Sequence, residues 1–317
     1  MQPVCASYIL PIRTMNSASR GELTPYLRSL PGVQLIIVDG SPAEIFAAHN
    51  RSWSAFAVHV PPDHDIQGKN GKVRGVLTGL RRAEHSKVIV ADDDVRYDAR
   101  SLGRVLDALD HAEVVRPQNY FQPHTWHTIL DSSRTLLNRM WGGDWPGTLG
   151  LRKTALPKGY NADVLFENLE LVRTVAARGG REMVLGDVFV ARRPPSVRHF
   201  WRQRVRQAYD EFARPARLAL ALAILPALCG ALLRRNYAII AAGAALTSVL
   251  AETGRRRQGA AAYFPAAASL AAPFWLLERG LSAWAALGLR LTRGGVPYAG
   301  SVIAHAATPM RELRTQP

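Results

Sequence analysis

The chain has 317 residues, 48% of them hydrophobic and 21% charged, with a formal net charge of +15 at pH 7. That length allows one large domain, or one domain with an appendage. Two cysteines, Cys5 and Cys229, exclude a disulfide framework and read as buried small hydrophobes, and no basic stripe interleaved with aromatics marks a nucleic-acid binder.

The charge divides the chain. Residues 1–215 carry 29 basic and 22 acidic residues, whereas residues 216–317 carry 11 and 3, every basic one an Arg. Those arginines punctuate long apolar runs, a pattern of membrane surfaces. The expected organisation is therefore a domain over 1–215 and a membrane domain over 216–317. No charged segment followed by an apolar one opens the sequence, so a secretory signal peptide is not expected and the first domain is expected to be cytoplasmic.

In chain order, Val4–Pro11 reads as a strand, Glu22–Leu30 as a helix ending at Pro31-Gly32, and Val33–Val38 as a buried strand ending in Asp39-Gly40-Ser41. Ala55–Val60 is a further strand. Gly71–His85 has helical period, with Val73, Val76, Leu77 and Leu80 on one face. Val88–Val90 is the strand before Asp92-Asp93-Asp94. This alternation predicts an α/β fold with a mostly parallel sheet flanked by helices. Ligands in such sheets sit beyond the carboxyl ends of strands, which places Asp39 and the acidic triplet in one cleft.

After residue 215 come three apolar runs, Leu218–Leu233, Tyr237–Ala251 and Gln258–Leu277, of 16, 15 and 20 residues. A spanning helix needs about 20 apolar residues, so the third run fits best, and the first two are short but flanked by arginines that can snorkel. The nine-residue stretch Leu281–Leu289, with Trp284, reads as an interfacial helix. The expectation is two to four membrane helices with a basic tail from Arg290 to Arg314. A soluble bundle with buried Ala/Leu faces is the alternative.

Three consecutive carboxylates after a buried strand repel one another and need a partner for their charge. A hard divalent cation bound by Asp92 and Asp94 supplies one and leaves positions for phosphate oxygens. A solvated acidic turn is the alternative. His124 and His127, three apart, could share a metal, but no third ligand lies near in sequence and packing beside Trp126 explains them better.

Five segments in order now resemble the family-2 inverting glycosyltransferases, over roughly residues 4–210. They are Tyr8-Ile9-Leu10-Pro11-Ile12-Arg13; Ile36-Ile37-Val38-Asp39-Gly40-Ser41, similar to V-D-D-G-S; Lys69 to Leu77, similar to G-K-x-x-A-L-N; Asp92-Asp93-Asp94, similar to D-x-D; and Gln203-Arg204-Val205-Arg206-Gln207, similar to Q-x-x-R-W with Gln in place of Trp. The resemblance implies a GT-A fold related to the Rossmann fold and a nucleotide-sugar donor held by Pro11, Arg13, Asp39, Lys72, Asp92 and Asp93. It also implies Mg2+ or Mn2+ on Asp92 and Asp94, and Gln203 and Arg206 as catalytic residues at the leaving diphosphate. Where the family carries Glu-Asp with the Asp as base, this chain has Glu167-Asn168, and an amide cannot take a proton at neutral pH. The candidate bases are therefore Glu167 and Asp163, with Glu170 a solvated helix residue. Asp144 and Trp145 are candidate acceptor-side residues, before a strand at Leu149–Lys153 that resembles the family's acceptor-side strand.

These readings lead to a multi-pass cell-membrane glycosyltransferase with a lipid or lipid-linked acceptor. A polyprenyl-phosphate glycosyl synthase and a non-catalytic membrane scaffold are the alternatives.

Overall fold

The computed structural model describes residues 5–15, 20–298 and 300–315. Val4, where the first strand was expected to begin, lies outside them. The strands of the main sheet are β1 (Ala6–Ile12), β2 (Gln34–Asp39), β3 (Val58–Val60), β4 (Lys87–Ala91), β5 (Val95–Arg96), β6 (Val114–Phe121), β7 (Thr148–Arg152) and β8 (Glu182–Arg192). The longer helices before β8 are α1 (Arg20–Ser29), α2 (Ala43–Trp53), α3 (Gly71–Arg82), α4 (Ala99–Ala108), α5 (Trp126–Asn138) and α6 (Glu167–Ala177). After it come α7 (Val197–Tyr209), α8 (Pro215–Leu233), α9 (Tyr237–Arg256), α10 (Ala266–Leu270), α11 (Ala272–Arg293) and α12 (Met310–Thr315).

The sheet runs β3-β2-β1-β4-β7-β6-β8-β5. It is parallel from β3 to β4 and antiparallel where β7 meets β4 and β6. The sheet is therefore mixed, as β7 returns along the whole length of β4. The sequence reading also passed over α2, whose short apolar stripe carries polar and aromatic residues rather than aliphatic ones.

The chain forms two compact units. The first comprises 1–117, 145–191 and 308–317, and the second 118–144 and 192–307. In the first unit the period of two along β1 sends Tyr8, Leu10 and Ile12 to one face and Ile9 to the other. The Tyr8 face packs against Leu23 and Leu27 of α1, Trp53 of α2 and Leu102, Val105 and Leu106 of α4. The Ile9 face packs against Val73, Val76 and Leu80 of α3 and Leu171, Val172 and Val175 of α6. Two faces covered by helices explain why β1, β2 and β4 read as continuous apolar runs.

α3 lies unusually close to β1. A Cβ added at Gly75 would fall 2.8 Å from Pro11 Cβ, and one at Gly79 2.4 Å from Ile9 Cγ2. The N-terminus of α3 is fixed by Asn70, which is fully buried. Its side-chain oxygen accepts from the backbone N–H groups of Lys72 (3.1 Å) and Val73 (3.4 Å), and its amide donates to the Val164 carbonyl (2.9 Å). One side chain thus caps the helix and ties it to the strand-to-helix connection before α6.

The second unit holds α5 and α7–α11, with a short hairpin of Val296–Tyr298 and Ser301–Ile303. Two of its helical segments are long and apolar enough to cross a membrane: Pro215–Leu233, and Tyr237–Ala262, which is α9 with its 3-10 extension. They are longer than the charge-free runs read from sequence, because helix continues through the flanking polar residues. The third run is not one helix. Positive φ at Gln258 and Gly259 and the non-helical Pro265 break it, and its last residues join the supposed interfacial stretch in α11. Cys5 and Cys229 are exposed, not buried.

Asn70→Ala removes a helix cap and leaves the Val164 carbonyl without its donor. It is expected to lower unfolding stability by about 1–3 kcal/mol, read as a reduced thermal midpoint in detergent.

Candidate active site

β4 delivers Asp92 at its carboxyl end, where the Asp92 N–H donates to the Gly147 carbonyl (2.8 Å) and the Asp92 carbonyl accepts from Val95 N–H (3.1 Å). Asp92 and Asp94 are half-buried and Asp93 is exposed. Lys72, in the first turn of α3, reaches this strand end. Its Nζ lies 2.5 Å from Asp92 Oδ1 and 2.7 Å from Glu167 Oε1. Burial alone would lower the Lys72 pKa, but the Asp92 and Glu167 carboxylates outweigh it and hold the ammonium charged far into the alkaline range. Glu167 opens α6, where the helix N-terminus favours a carboxylate.

The two alternative bases differ in what they touch. Asp163 accepts from the Lys69 backbone N–H (3.0 Å), steadying the turn before Asn70. Glu167 faces Lys72. Asn168, where the resembling family carries its Asp, donates to the Pro146 carbonyl (2.8 Å) and serves the backbone. Tyr160, which sequence reasoning missed, is buried beside this group, and burial with the Glu167 charge pushes its hydroxyl pKa up.

Asp39 ends β2 with its side chain covered. Oδ1 accepts from Ser41 N–H (2.9 Å), and Oδ2 lies 2.6 Å from His49 Nδ1 and 3.3 Å from His59 Nε2. Burial opposes ionisation, but the contacts with His59, Ser41 and His49 prevail and hold the pKa at about 2. Pro11 is half-buried under Gly75 and Arg13 is exposed. Trp145 packs edge-on against Phe166 (5.1 Å) and carries the Arg116 guanidinium over its ring at 4.2 Å. The Arg116 contact has no signal in sequence, since the two residues are 29 apart.

The remaining candidates lie in the second unit. Asp144 is buried and accepts from Arg134 (3.0 Å), Thr135 (2.7 Å) and Asn138 (2.7 Å), an arrangement that serves packing of α5. Gln203 contacts His199, and Arg206 lies 5.4 Å over the Tyr298 ring, both on α7. Between them Arg204 is buried and donates to Asp131 (2.9 Å). The catalytic assignment of Gln203 and Arg206 rests on the resemblance. His127 is buried, its Nε2 2.9 Å from the Pro195 carbonyl and its ring beside Phe200, so it packs as expected, while His124 is exposed.

Glu170, one turn beyond Glu167, is not solvated. It is fully buried, and its Oε2 accepts from Thr308 N–H (2.6 Å). Asn161 donates to Thr308 Oγ1 and Arg173 to the Thr308 carbonyl, both at 3.1 Å.

No protein-family model matches the chain, and no curated protein matches it. Among solved structures it is similar to a mannosyltransferase from Pyrobaculum calidifontis in complex with GDP-Man and Mn2+. The identity is 19%, over 89% of this chain and 87% of that one, with a TM-score of 0.55. The chain therefore shares that glycosyltransferase's fold, as the expected GT-A architecture requires. Lower TM-scores, 0.41 and 0.42, relate it to a mannosyl-3-phosphoglycerate synthase from Rubrobacter xylanophilus (14% identity, 64% of this chain and 71% of that one) and to S. aureus TarS residues 1–349 (15%, 65% and 64%).

Burial raises the Glu170 pKa above its ordinary value, outweighing the Thr308 hydrogen bonds that lower it. Such a group favours the native state fully below the unfolded carboxyl pKa, about 4.3, and loses that contribution as pH rises through its folded value. Glu170→Gln is expected to match the parent's thermal midpoint in acid and exceed it at alkaline pH. Equal midpoints across the range would contradict the assignment.

Proposed function

We propose that the protein is a membrane-attached, family-2-type inverting glycosyltransferase that moves a hexosyl group from a nucleoside-diphosphate donor to a lipid or lipid-linked acceptor. The observation that carries this reading is the Lys72 ammonium set between Asp92 and Glu167 at the carboxyl end of β4, in a fold shared with a mannosyltransferase described with GDP-Man and Mn2+.

The donor set suits a hard cation. Asp92 and Asp94 are half-exposed carboxylates one residue apart, and one ammonium facing two carboxylates leaves the group net negative. Mg2+ or Mn2+ held there would act as a Lewis acid toward the leaving diphosphate. Lys72 adds fixed positive charge where negative charge develops, and needs no reorganisation to do so. Glu167 accepts the proton of the acceptor hydroxyl as its oxygen bonds to the sugar's anomeric carbon. The bond from that carbon to the diphosphate breaks on the opposite face, and the electron pair leaves with the nucleoside diphosphate.

One observation favours a phosphate acceptor instead of a hydroxyl. Glu167 is already engaged by the Lys72 ammonium, and Asn168 cannot serve as a base. A polyprenyl phosphate is already ionised and needs no base.

Membrane attachment is supported by α8 and by Tyr237–Ala262. On α8 only Ala221 is buried, and Leu220 and Leu233 are 71% and 86% exposed. An aqueous surface rarely carries apolar residues at that density. The catalytic unit is assigned to the cytoplasmic side.

Purified protein in detergent with Mn2+ and a panel of nucleotide sugars is expected to release nucleoside diphosphate with one donor, dependent on added lipid. Asp94→Ala is expected to cut this by about 100-fold or more. Glu167→Gln separates the acceptors: a similar loss indicates a hydroxyl, and a small change indicates a phosphate. A folded protein that turns over no donor would overturn the enzymatic reading in favour of a scaffold.

A further inference from the structure

The proposed transfer leaves unused a second group of side chains with metal-binding chemistry. Asp39 at the end of β2, His49 in α2 and His59 in β3 bring three ligand atoms within 4.8 Å of one another. None of the three side chains has exposed surface. They lie on separate elements of the first unit and converge on one oxygen, Asp39 Oδ2, at 2.6 Å from His49 Nδ1 and 3.3 Å from His59 Nε2. Both rings are held by stacking, His49 on Trp53 and His59 on Phe46, each with centroids 4.4 Å apart.

Hydrogen bonding alone leaves this group in tension. The His59 ring sits between two oxygens, with Nδ1 3.0 Å from Asn50 Oδ1 and Nε2 facing Asp39 Oδ2. A neutral imidazole has one N–H. With that hydrogen directed to Asn50, the Nε2 lone pair confronts a carboxylate. A cation between the two converts the repulsion into a pair of bonds, and the Asn50 contact then fixes the ring as an outer partner does in metal sites. A proton on His59, or a turned Asn50 amide, would relieve the same clash without metal.

We propose that Asp39, His49 and His59 hold a transition-metal ion of the Zn2+ type, distinct from the Asp92–Asp94 site. Two imidazoles and one carboxylate suit Zn2+ and other late first-row ions, whereas the acidic triplet offers the hard oxygens of Mg2+ and Mn2+. Metal–ligand bonds of about 2.0–2.1 Å at a tetrahedral angle put neighbouring ligand atoms about 3.3–3.4 Å apart, the separation found for His59, so binding requires His49 Nδ1 to draw back from its 2.6 Å contact with Asp39. Three protein ligands leave a position for water. Because the side chains are covered, the ion serves structure: it joins α2 and β3 to the end of β2. The inference stands on this geometry and not on the glycosyltransferase reading. It gives Asp39 a task other than the nucleoside contact that the resemblance implies.

The test uses the full chain in detergent, stripped with a chelator and dialysed against Zn2+, with metal measured by elemental analysis. Wild type and the Asp92→Asn/Asp94→Asn variant are both expected to retain about one Zn2+ per chain and gain thermal midpoint, and His59→Asn to retain none. Co2+ loading of wild type adds a readout that needs no variant, since imidazole-bound Co2+ shows visible d–d absorption. Wild type without Zn2+ and without that absorption, or His59→Asn binding Zn2+ as wild type does, would overturn the proposal and leave a hydrogen-bonded network. Mn2+-dependent donor turnover is unaffected by either result, so failure here is distinct from failure of the proposed activity.

Discussion

The Lys72 ammonium holds together charges that would otherwise drive two elements apart. β4 ends in acid, α6 begins with Glu167, and the two carboxylates meet across one lysine. Lysine reaches that point only because α3 lies almost on the backbone of β1, which requires glycine at 75 and 79. It is aimed there because Asn70 fixes the first turn of α3 from below. The glycine face, the cap and the ion pair are thus successive conditions for one placement. A side chain at position 79 would push α3 outward, and Lys72 would lose its grip on both partners.

The same helix shows how environment separates two chemically identical groups. Glu167 and Glu170 are neighbours on α6. Glu167 keeps a charged partner, Lys72, and some solvent. Glu170 is fully buried, is held mainly by the Thr308 N–H, and feels the charges of Arg173 and Glu312 more weakly than its own burial, with no hydrogen-bond partner among the described residues for Oε1. One carboxylate is suited to chemistry, and the other anchors the returning segment 308–315 through contacts with α6.

Sequence patterns revealed the first unit better than the second, for physical reasons. Strands covered on both faces are apolar throughout, so β1, β2 and β4 stand out, and α3 announces itself by its period. α2 was missed because its polar groups find distant partners, His49 in Asp39, Asn50 in His59 and Trp53 in Thr24, contacts that no local pattern encodes. The resemblance put Asp92 and Lys72 in one donor site, but their direct pairing and the Glu167 contact with Lys72, which spans 95 residues, needed the fold. Glu170 looked solvated because charged residues at helix starts usually are. Its burial depends on a segment about 140 residues away returning to α6.

The apolar helices were legible as composition but not as geometry. A run of 20 uncharged residues looked the most capable of spanning, yet it contains Gln258, Gly259 and Pro265, and backbone preference overrides hydropathy there. The two shorter runs each became a helix longer than the run itself, because Arg217, Arg255 and Arg256 are good helix formers and extend them. Arginine at the ends is also what a bilayer tolerates, since the long stem can lie along apolar surface while the guanidinium stays in the headgroups. In a bilayer the exposed leucines on α8 would have a solvent that suits them. On the proposed function, helices of this kind would suit an acceptor confined to a membrane, because a lipid restricted to two dimensions needs no search through bulk water.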